Sequence, residues 1–212
     1  MFVNNLDPVA FEFLSFQIRW YSLAYIFGFL IGWFYIKNFL IKDLREKTLV
    51  DDFITYLILG VIIGGRLGYV IFYNFFYYLS HPFEIFFIWQ GGMSFHGGLL
   101  GVCLATYIFT QKYNLNFFRY TDLVSLVAPI GIFLGRVANF INSELYGRET
   151  DFIFSVNFNK VDNLFRHPSQ LYESFFEGIV LFIILNFLWK KFSEVPGVIS
   201  SLFLIFYSLF RF

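Results

Sequence analysis

Six long apolar stretches, separated by polar ones, dominate the hydropathy pattern of the chain. A helix needs about 20 apolar residues to cross the hydrocarbon core of a bilayer. The pattern therefore predicts six membrane-spanning helices, at residues 17–36, 52–73, 93–111, 122–141, 174–189 and 197–212. Residues 142–173 are too polar to span and are expected to form a small outer cap, in which "FIFSVNFN" alternates weakly and favours a short strand. We therefore expect an all-α integral membrane protein, a multi-span helical bundle forming one polytopic domain over 1–212.

The loops predict how these helices are oriented, because cytoplasmic loops carry the excess of lysine and arginine. Basic residues follow the first, third and fifth predicted spans, namely Lys37, Lys42, Arg45, Lys47, Lys112, Arg119, Lys190 and Lys191. Neither the segment before Arg19 nor the stretch 74–92 contains a lysine or arginine. The cap is basic as well, but a longer polar loop follows the rule less strictly. The N-terminus is predicted to lie outside the cell and the odd-numbered loops in the cytoplasm.

Composition strengthens the membrane assignment and removes other classes of protein. Of 212 residues, 58% are hydrophobic and 14% charged, and the mean hydropathy is +0.65. A sphere of this size cannot hide so much apolar surface. The formal net charge of zero gives no support for a nucleic-acid partner. The single cysteine, Cys103, excludes an internal disulfide and a cysteine-rich metal cluster, and no metal or other cofactor is expected. The N-terminal segment lacks the marks of a removable signal peptide, so the first helix itself is expected to target the chain.

On this topology the conspicuous polar residues gather at the outer leaflet. They are Tyr21, Arg66, His96, Arg136, Asn139, Asn142, Glu144, His167, Tyr207 and Arg211. Ionisable groups within membrane segments are costly and usually mark a functional site. The sequence therefore predicts a site that faces the outer leaflet.

Arg136 has two interpretations. It either snorkels to the membrane surface, paired with Glu144, or binds an anion, since a guanidinium grips a phosphate through two parallel hydrogen bonds. Helical spacing puts Arg136, Asn139 and Ser143 on one face, which favours the anion site. Arg211 follows Tyr207 by four residues and shares its face. Two arginines at an outer-leaflet cavity make an anionic lipid headgroup the expected ligand.

Arg66, whose helix face also carries Tyr69 and Tyr73, either snorkels or contacts the same lipid. His96 lies in "GGMSFHGGLLG", where the glycines allow helices to approach closely. It is either a structural histidine or a general base, since an imidazole titrates near neutral pH. Cys103 follows His96 by seven residues, and about 10.5 Å of helix rise is too far for a catalytic thiol–imidazole pair.

No G-x-S-x-G, Walker or H-E-x-x-H motif occurs, so serine hydrolysis, nucleotide use and zinc chemistry lose support. The chain instead resembles the bacterial prolipoprotein diacylglyceryl transferases. Their signature, G-R-x-[GA]-N-F-[LIVMF]-N-x-E-x-x-G, matches residues 135–147, "GRVANFINSELYG", at every fixed position. "RWYSLAY", "GGRLGYV", "GGMSFHGGLLG" and "RHPSQLYE" are also similar to family segments and stand in the family order. The resemblance covers essentially the whole chain.

The resemblance implies an enzyme of the bacterial plasma membrane. It would move the diacylglyceryl group of phosphatidylglycerol onto the lipobox cysteine thiol of a preprolipoprotein, forming a thioether and releasing glycerol phosphate. By the same motifs Arg136 would bind the phosphatidylglycerol headgroup. Other family positions tied to activity or lining the site are occupied here by Tyr21, His96, Asn139, Glu144, Gly147, Tyr207 and Arg211. Family members continue past the position of Arg211 into a further helix, so a seventh span is expected to be missing from a chain that ends at Phe212.

Two other classes compete with this reading. A lipid-binding transporter or flippase would need a polar path through the whole membrane, and the inner halves of the predicted spans offer almost none. An intramembrane protease would need a serine–histidine or paired-aspartate site. Ser94 and Ser125 lack such partners in the sequence pattern. Transferred lipid, moved lipid and cut peptide are the products that distinguish the three.

Overall fold

The computed structural model describes residues 2–13 and 16–211 and is mostly helical. Its α-helices are α1 (Trp20–Tyr35), α2 (Leu44–Phe72), α3 (Phe75–Ser80), α4 (Phe95–Tyr113), α5 (Phe117–Asn142), α6 (Ser169–Glu173), α7 (Leu181–Phe192) and α8 (Val198–Arg211). Two π-helical segments, Ile36–Leu40 after α1 and Ser174–Val180 between α6 and α7, extend these helices. Two 3₁₀ turns, Pro82–Phe86 and Ile88–Gln90, lie between α3 and α4. The strands are β1 (Phe2–Asn4), β2 (Val9–Phe13), β3 (Phe16–Arg19), β4 (Val156–Phe158) and β5 (Phe165–Arg166).

Each of the six predicted spans coincides with a helix, although residue 212 of the last one lies outside the described residues. Four helices in the described part of the chain are long and apolar enough to cross a membrane: Trp20–Leu40, Leu44–Phe72, Phe117–Asn142 and Ser169–Phe192. They confirm the all-α integral membrane fold. At 14 residues α8 is shorter, and the spanning role predicted for α4 and α8 stays a prediction.

The ends of the first two helices differ from the predicted ones for local reasons. Residues 17–19 were predicted to belong to the first span, but they form part of β3, which pairs antiparallel with β2, and α1 begins only at Trp20. The second helix begins at Leu44, eight residues before the predicted span. There the Asp43 carboxylate accepts hydrogen bonds from the backbone N–H groups of Arg45 and Glu46, at 2.8 and 3.0 Å. This N-cap starts the helix within polar sequence that hydropathy excludes.

The strand predicted within "FIFSVNFN" is present as β4. It pairs in parallel with β1 and antiparallel with β5, which gives a small three-stranded sheet. The side-chain amide of Asn4 donates to the carbonyl oxygen of Phe140 at 2.7 Å. Strand β1 thus connects β4, in the segment after α5, to the C-terminal end of α5.

Contacts divide the chain into two compact units, Lys37–Thr121 and Met1–Ile36 with Asp122–Phe212. In the first, α2 and α4 pack through glycines: a Cβ built on Gly68 would lie 2.7 Å from the Cα of Gly97, and one on Gly60 would lie 2.6 Å from the carbonyl oxygen of Gly101. Small residues at such a crossing let membrane helices approach closely. The close packing predicted for the glycines around His96 is therefore confirmed.

Candidate active site

Two arginines and two glutamates form a charged cluster in the unit that contains residues 122–212. Arg136 lies on α5 and Arg211 at the end of α8, whereas Glu173 and Glu177 belong to the continuous helix Ser169–Phe192. One oxygen, Glu173 Oε2, lies 2.9 Å from Arg136 Nε and 2.7 Å from Arg211 Nη1. Glu177 lies 3.5 Å from Arg136 and 3.4 Å from Arg211. Three helices thus converge on one network with no net formal charge.

The π-helical segment Ser174–Val180 contains Glu177 and begins directly after Glu173. Glu173 and Glu177 are four residues apart, so both project from the same side of the helix. Segments of this wide helical form occur preferentially at functional sites.

Exposure rises across the cluster: the side chain of Glu177 is 0% exposed, Arg136 15%, Glu173 21% and Arg211 47%. Arg211 and Glu173 are therefore the members that a ligand reaches most easily.

The end of α5 continues into a tight turn built from signature residues. Glu144 accepts hydrogen bonds from the side-chain amides of Asn139 and Asn142, at 3.1 and 3.4 Å. Ser143 and Leu145 adopt left-handed backbone conformations, with φ of 59° and 54°. Glu144 is thus engaged by the two asparagines, and the alternative in which it pairs with Arg136 is wrong, because Arg136 is paired with Glu173 and Glu177.

Gly147 lies where the signature turn meets the segment that precedes α6. Its N–H donates to the carbonyl oxygen of His167 at 2.9 Å. A Cβ on Gly147 would overlap Ser169 Oγ and approach the His167 carbonyl oxygen to 2.8 Å. The side chain of Gln170, which is fully buried, donates to the carbonyl oxygen of Glu144 at 2.5 Å. The signature turn and the segment that precedes α6 lie so close together here that only glycine fits at position 147.

Gly147 also lines an open cleft of about 710 Å³ together with Tyr146, Arg148, Arg166, His167, Ser169 and Tyr172. Arg166 Nη2 lies 2.6 Å from Asp162 Oδ2. The hydrogen bond from Arg166, followed by that from the backbone N–H of Leu164, holds the pKa of the Asp162 carboxyl below its ordinary value. This ion pair fixes one wall of the cleft.

Arg66 lies in the other unit and is 3% exposed. Its guanidinium donates to the carbonyl oxygens of Ile85, Gly91, Gly92, Glu84 and Phe87, at 2.8, 2.6, 3.2, 2.7 and 3.4 Å. A guanidinium has five N–H groups, so these contacts match its full capacity. They support a role in organising the loop between α3 and α4, and the lipid contact predicted for Arg66 stays a prediction.

The remaining predicted residues have simpler surroundings. His96 is exposed in the first turn of α4, whose N-cap is Ser94, and its ring packs edge-on against Phe95. Tyr21 is 38% exposed at the start of α1 and packs edge-on against Tyr25. Tyr207, one turn before Arg211, stacks on Phe203. The participation of His96, Tyr21 and Tyr207 in one site stays a prediction.

The sequence reasoning overlooked both acidic members of the cluster. Glu173 was seen only as part of "RHPSQLYE", and Glu177 was passed over inside the fifth apolar stretch. A signal was available, since a carboxylate within a membrane segment is expected to face a partner. Gln170 was overlooked as well, and its contact with a backbone carbonyl could not be foreseen from sequence.

The helices and the charged cluster together define a class of protein: a membrane protein with two arginines arranged to bind an anion. Comparison with known proteins specifies it further. A family model described as prolipoprotein diacylglyceryl transferase matches residues 8–212. A Rickettsia typhi protein is 49% identical over 100% of this chain and 83% of its own length, and one from Rickettsia canadensis is 51% identical with the same coverage. One from Rickettsia felis is 50% identical over 98% of this chain and 82% of its own length. All three are named phosphatidylglycerol–prolipoprotein diacylglyceryl transferase.

The chain belongs to the prolipoprotein diacylglyceryl transferase family. It is therefore a membrane-embedded transferase of a bacterial family.

Proposed function

We propose that this chain transfers the diacylglyceryl group of phosphatidylglycerol to the lipobox cysteine thiol of preprolipoproteins. The product is a thioether, and glycerol phosphate is released. The observation that carries the proposal is the pair Arg136 and Arg211, brought together on one carboxylate oxygen of Glu173 in a family whose members are named for this reaction.

The two arginines bind the lipid phosphate in this proposal. A guanidinium binds a phosphate through charge-assisted hydrogen bonds that are stronger than neutral ones. Glu173 Oε2 occupies the positions next to both guanidinium groups, and a phosphate oxygen takes its place when the lipid binds. Glu177, which is completely buried, keeps its contacts with both arginines throughout. Because the phosphate replaces the carboxylate of Glu173, negative charge does not accumulate next to the two arginines.

Bond formation then follows from the position of the phosphate. A thiol becomes a good nucleophile once it is deprotonated, and His96 is the group proposed to accept its proton. The sulfur forms a bond with the glyceryl carbon while the bond from that carbon to the phosphate oxygen breaks, and the electron pair stays on the departing phosphate. Arg136 and Arg211 stabilise the charge that grows there, in surroundings of low dielectric constant where such contacts are strong.

The other signature residues shape the site. Asn139, Glu144 and Gly147 hold the turn after α5 in the geometry described above, and Tyr21 and Tyr207 are proposed to contact the bound lipid. The proposed location is the bacterial plasma membrane, with the N-terminus outside the cell and the site facing the outer leaflet. The loop charges support this orientation.

Mass spectrometry tests the proposal directly. A lipobox peptide is incubated with phosphatidylglycerol and membranes that contain the 212-residue chain. We expect a diacylglyceryl mass on the cysteine, lost in Arg136→Gln and strongly reduced in Arg136→Lys, because lysine lacks the second parallel donor. Normal turnover by Arg136→Lys would refute the bidentate contact. Lipid movement without an adduct would indicate a transporter, which the relatives do not favour.

A further inference from the structure

Asp122 lies on α5 far from the charged cluster, and it is 1% exposed. Its carboxylate accepts hydrogen bonds from the backbone N–H groups of Gly197 and Ser200, both at 2.7 Å, and from Ser200 Oγ at 2.9 Å. Ser200 belongs to the first turn of α8, which begins at Val198, and Gly197 is the residue just before it. First-turn N–H groups have no partner within their own helix, and a carboxylate there also complements the helix dipole.

Asp122 thus provides the cap that α8 does not provide for itself. The residue before the helix is Gly197, which has no side chain and adopts φ of 90°. An ordinary N-cap side chain contributes about 1 kcal/mol and comes from the same helix. Here the capping carboxylate comes from α5, so the cap also joins one helix to another.

From this junction both α5 and α8 lead to the charged cluster. Arg136 follows Asp122 by 14 residues, and Arg211 follows Ser200 by 11. At about 1.5 Å per residue these are separations of roughly 21 and 17 Å along the two helices. At their far ends Arg136 and Arg211 share Glu173 Oε2.

The apolar contacts that hold α8 along its axis are mostly partial ones. Among the residues of α8, all of which the structure describes, Ile199 is the one buried side chain, whereas Leu202, Phe203, Phe206 and Phe210 are half-buried. A shift of α8 by one residue would move Arg211 by about 1.5 Å along the axis and turn it by about 100°. The contact between Arg211 and Glu173, at 2.7 Å, could not survive that change.

We propose that Asp122 is a positioning residue that sets the axial register of α8 and thereby holds Arg211 at the phosphate site. This inference rests on the proposed function for its effect on the reaction, whereas the effect on register is independent of it. Asp122 touches neither the lipid nor the peptide and acts only through Arg211.

The register is measured by electron paramagnetic resonance between spin labels on introduced cysteines. Suitable sites are Gly131 on α5, where an added Cβ meets nothing within 4 Å, and Leu209 on α8, which is 64% exposed, both in a Cys103→Ser background. We expect Asp122→Asn to shift the mean distance by about 1.5 Å or to broaden its distribution clearly. The matched control is Asp52→Asn, which removes a carboxylate on α2 that accepts from Tyr113 Oη at 2.7 Å and should leave the distance unchanged.

A double-mutant cycle measures the effect on the reaction. Asp122→Asn alone should lower kcat/KM for transfer by about tenfold or more, as expected for lost hydrogen bonds to a charged group. In an Arg211→Gln background it should change kcat/KM by less than about twofold, because residues that act through one another are not additive. Asp52→Asn should be additive with Arg211→Gln.

An unchanged distance distribution, or additive effects of Asp122→Asn and Arg211→Gln, overturns the proposal. If the unsubstituted chain shows no transfer, the proposed function fails, and the distance measurement alone then decides whether Asp122 sets the register. Should Asp122→Asn fail to fold, Asp122→Glu, which keeps the charge on a longer arm, takes its place in both measurements.

Discussion

Glu173→Gln should tighten the binding of phosphatidylglycerol, although it removes a residue from the centre of the charged cluster. Glu173 Oε2 contacts Arg136 and Arg211 at 2.9 and 2.7 Å in the structure. In the proposed complex the lipid phosphate takes these places. A contact made only in the free protein opposes binding, so its loss favours the complex.

Two contributions set the size of the effect. Glutamine keeps the shape of Glu173 but gives up the charge, so each of its two ion-pair contacts with a guanidinium loses about 1 kcal/mol. A displaced carboxylate that stayed about 5 Å from the phosphate would add a repulsion of about 3 kcal/mol at an effective dielectric constant near 20. Because Glu173 is 21% exposed, it can turn towards water and escape most of that repulsion. We expect a gain of about 1–3 kcal/mol, or roughly a 5- to 150-fold lower Kd.

Glu177→Gln is the matched variant and should act in the opposite direction. Its side chain is 0% exposed and lies 3.5 and 3.4 Å from Arg136 and Arg211. In the proposed mechanism these contacts persist in the complex, so their loss leaves the arginines poorly placed in both states. Breaking one side of a buried ion pair costs about 3–5 kcal/mol, and the remaining partner Glu173 reduces that figure for both arginines. Lower stability and weaker lipid binding are the expected results.

Calorimetric titration of the detergent-solubilised protein with dihexanoyl-phosphatidylglycerol measures both variants on one scale. Dihexanoylglycerol, which carries the same chains and no phosphate, is the control for contacts with the acyl chains. Equal or weaker binding by Glu173→Gln than by the unsubstituted protein would refute the exchange of anions. The same conclusion follows if both glutamine variants change Kd in the same direction.

Three further outcomes test other parts of the structure. Gly147→Ala should lower transfer activity at least tenfold while the helices stay folded, because its Cβ would collide with Ser169 and His167; circular dichroism together with the transfer assay checks this. Gly97→Leu should destabilise the α2–α4 packing by more than about 2 kcal/mol, seen as a lower Tm, whereas Gly131→Leu, at a site with open space, should leave Tm nearly unchanged. The lowered pKa of Asp162 means that its pairing with Arg166 stabilises the cap above the ordinary carboxyl pKa of about 3.9 and is lost as pH falls through the lowered value. Hydrogen exchange of the Leu164 amide should therefore show protection that decreases only below about pH 4, and Asp162→Asn should remove that pH dependence.

The helical fold was largely predictable because hydropathy is a local property of sequence. Every predicted span coincides with a helix, and the errors lie at boundaries set by specific contacts. The N-cap at Asp43 and the pairing of β2 with β3 are such contacts. The spacing of apolar residues contains no information about either.

The two arginines of the candidate site were predictable from the sequence, whereas its two glutamates were missed. Arg136 and Arg211 were grouped from their level in the membrane, and the structure places both on Glu173. The role of Glu177 was open to the same rule about charged groups in lipid, but the rule was not applied to the fifth predicted span. Arg66 shows the limit of the rule, because its five carbonyl partners come from an irregular loop whose path no periodicity predicts.

Polar contacts at helix ends help to determine where the two arginines lie. Lipid chains are as apolar as leucine, so exchanging a lipid neighbour for a protein neighbour changes the free energy of an apolar helix face only slightly. In α8, which the structure describes throughout, Ile199 is the one buried side chain and the other apolar contacts are partial, so polar contacts at its ends help to fix its axial position. Asp122 holds one end and the carboxylates of Glu173 and Glu177 hold the other. The same carboxylates that fix Arg211 therefore also keep it ready for an anion, and the lipid phosphate needs to replace only the more exposed of the two.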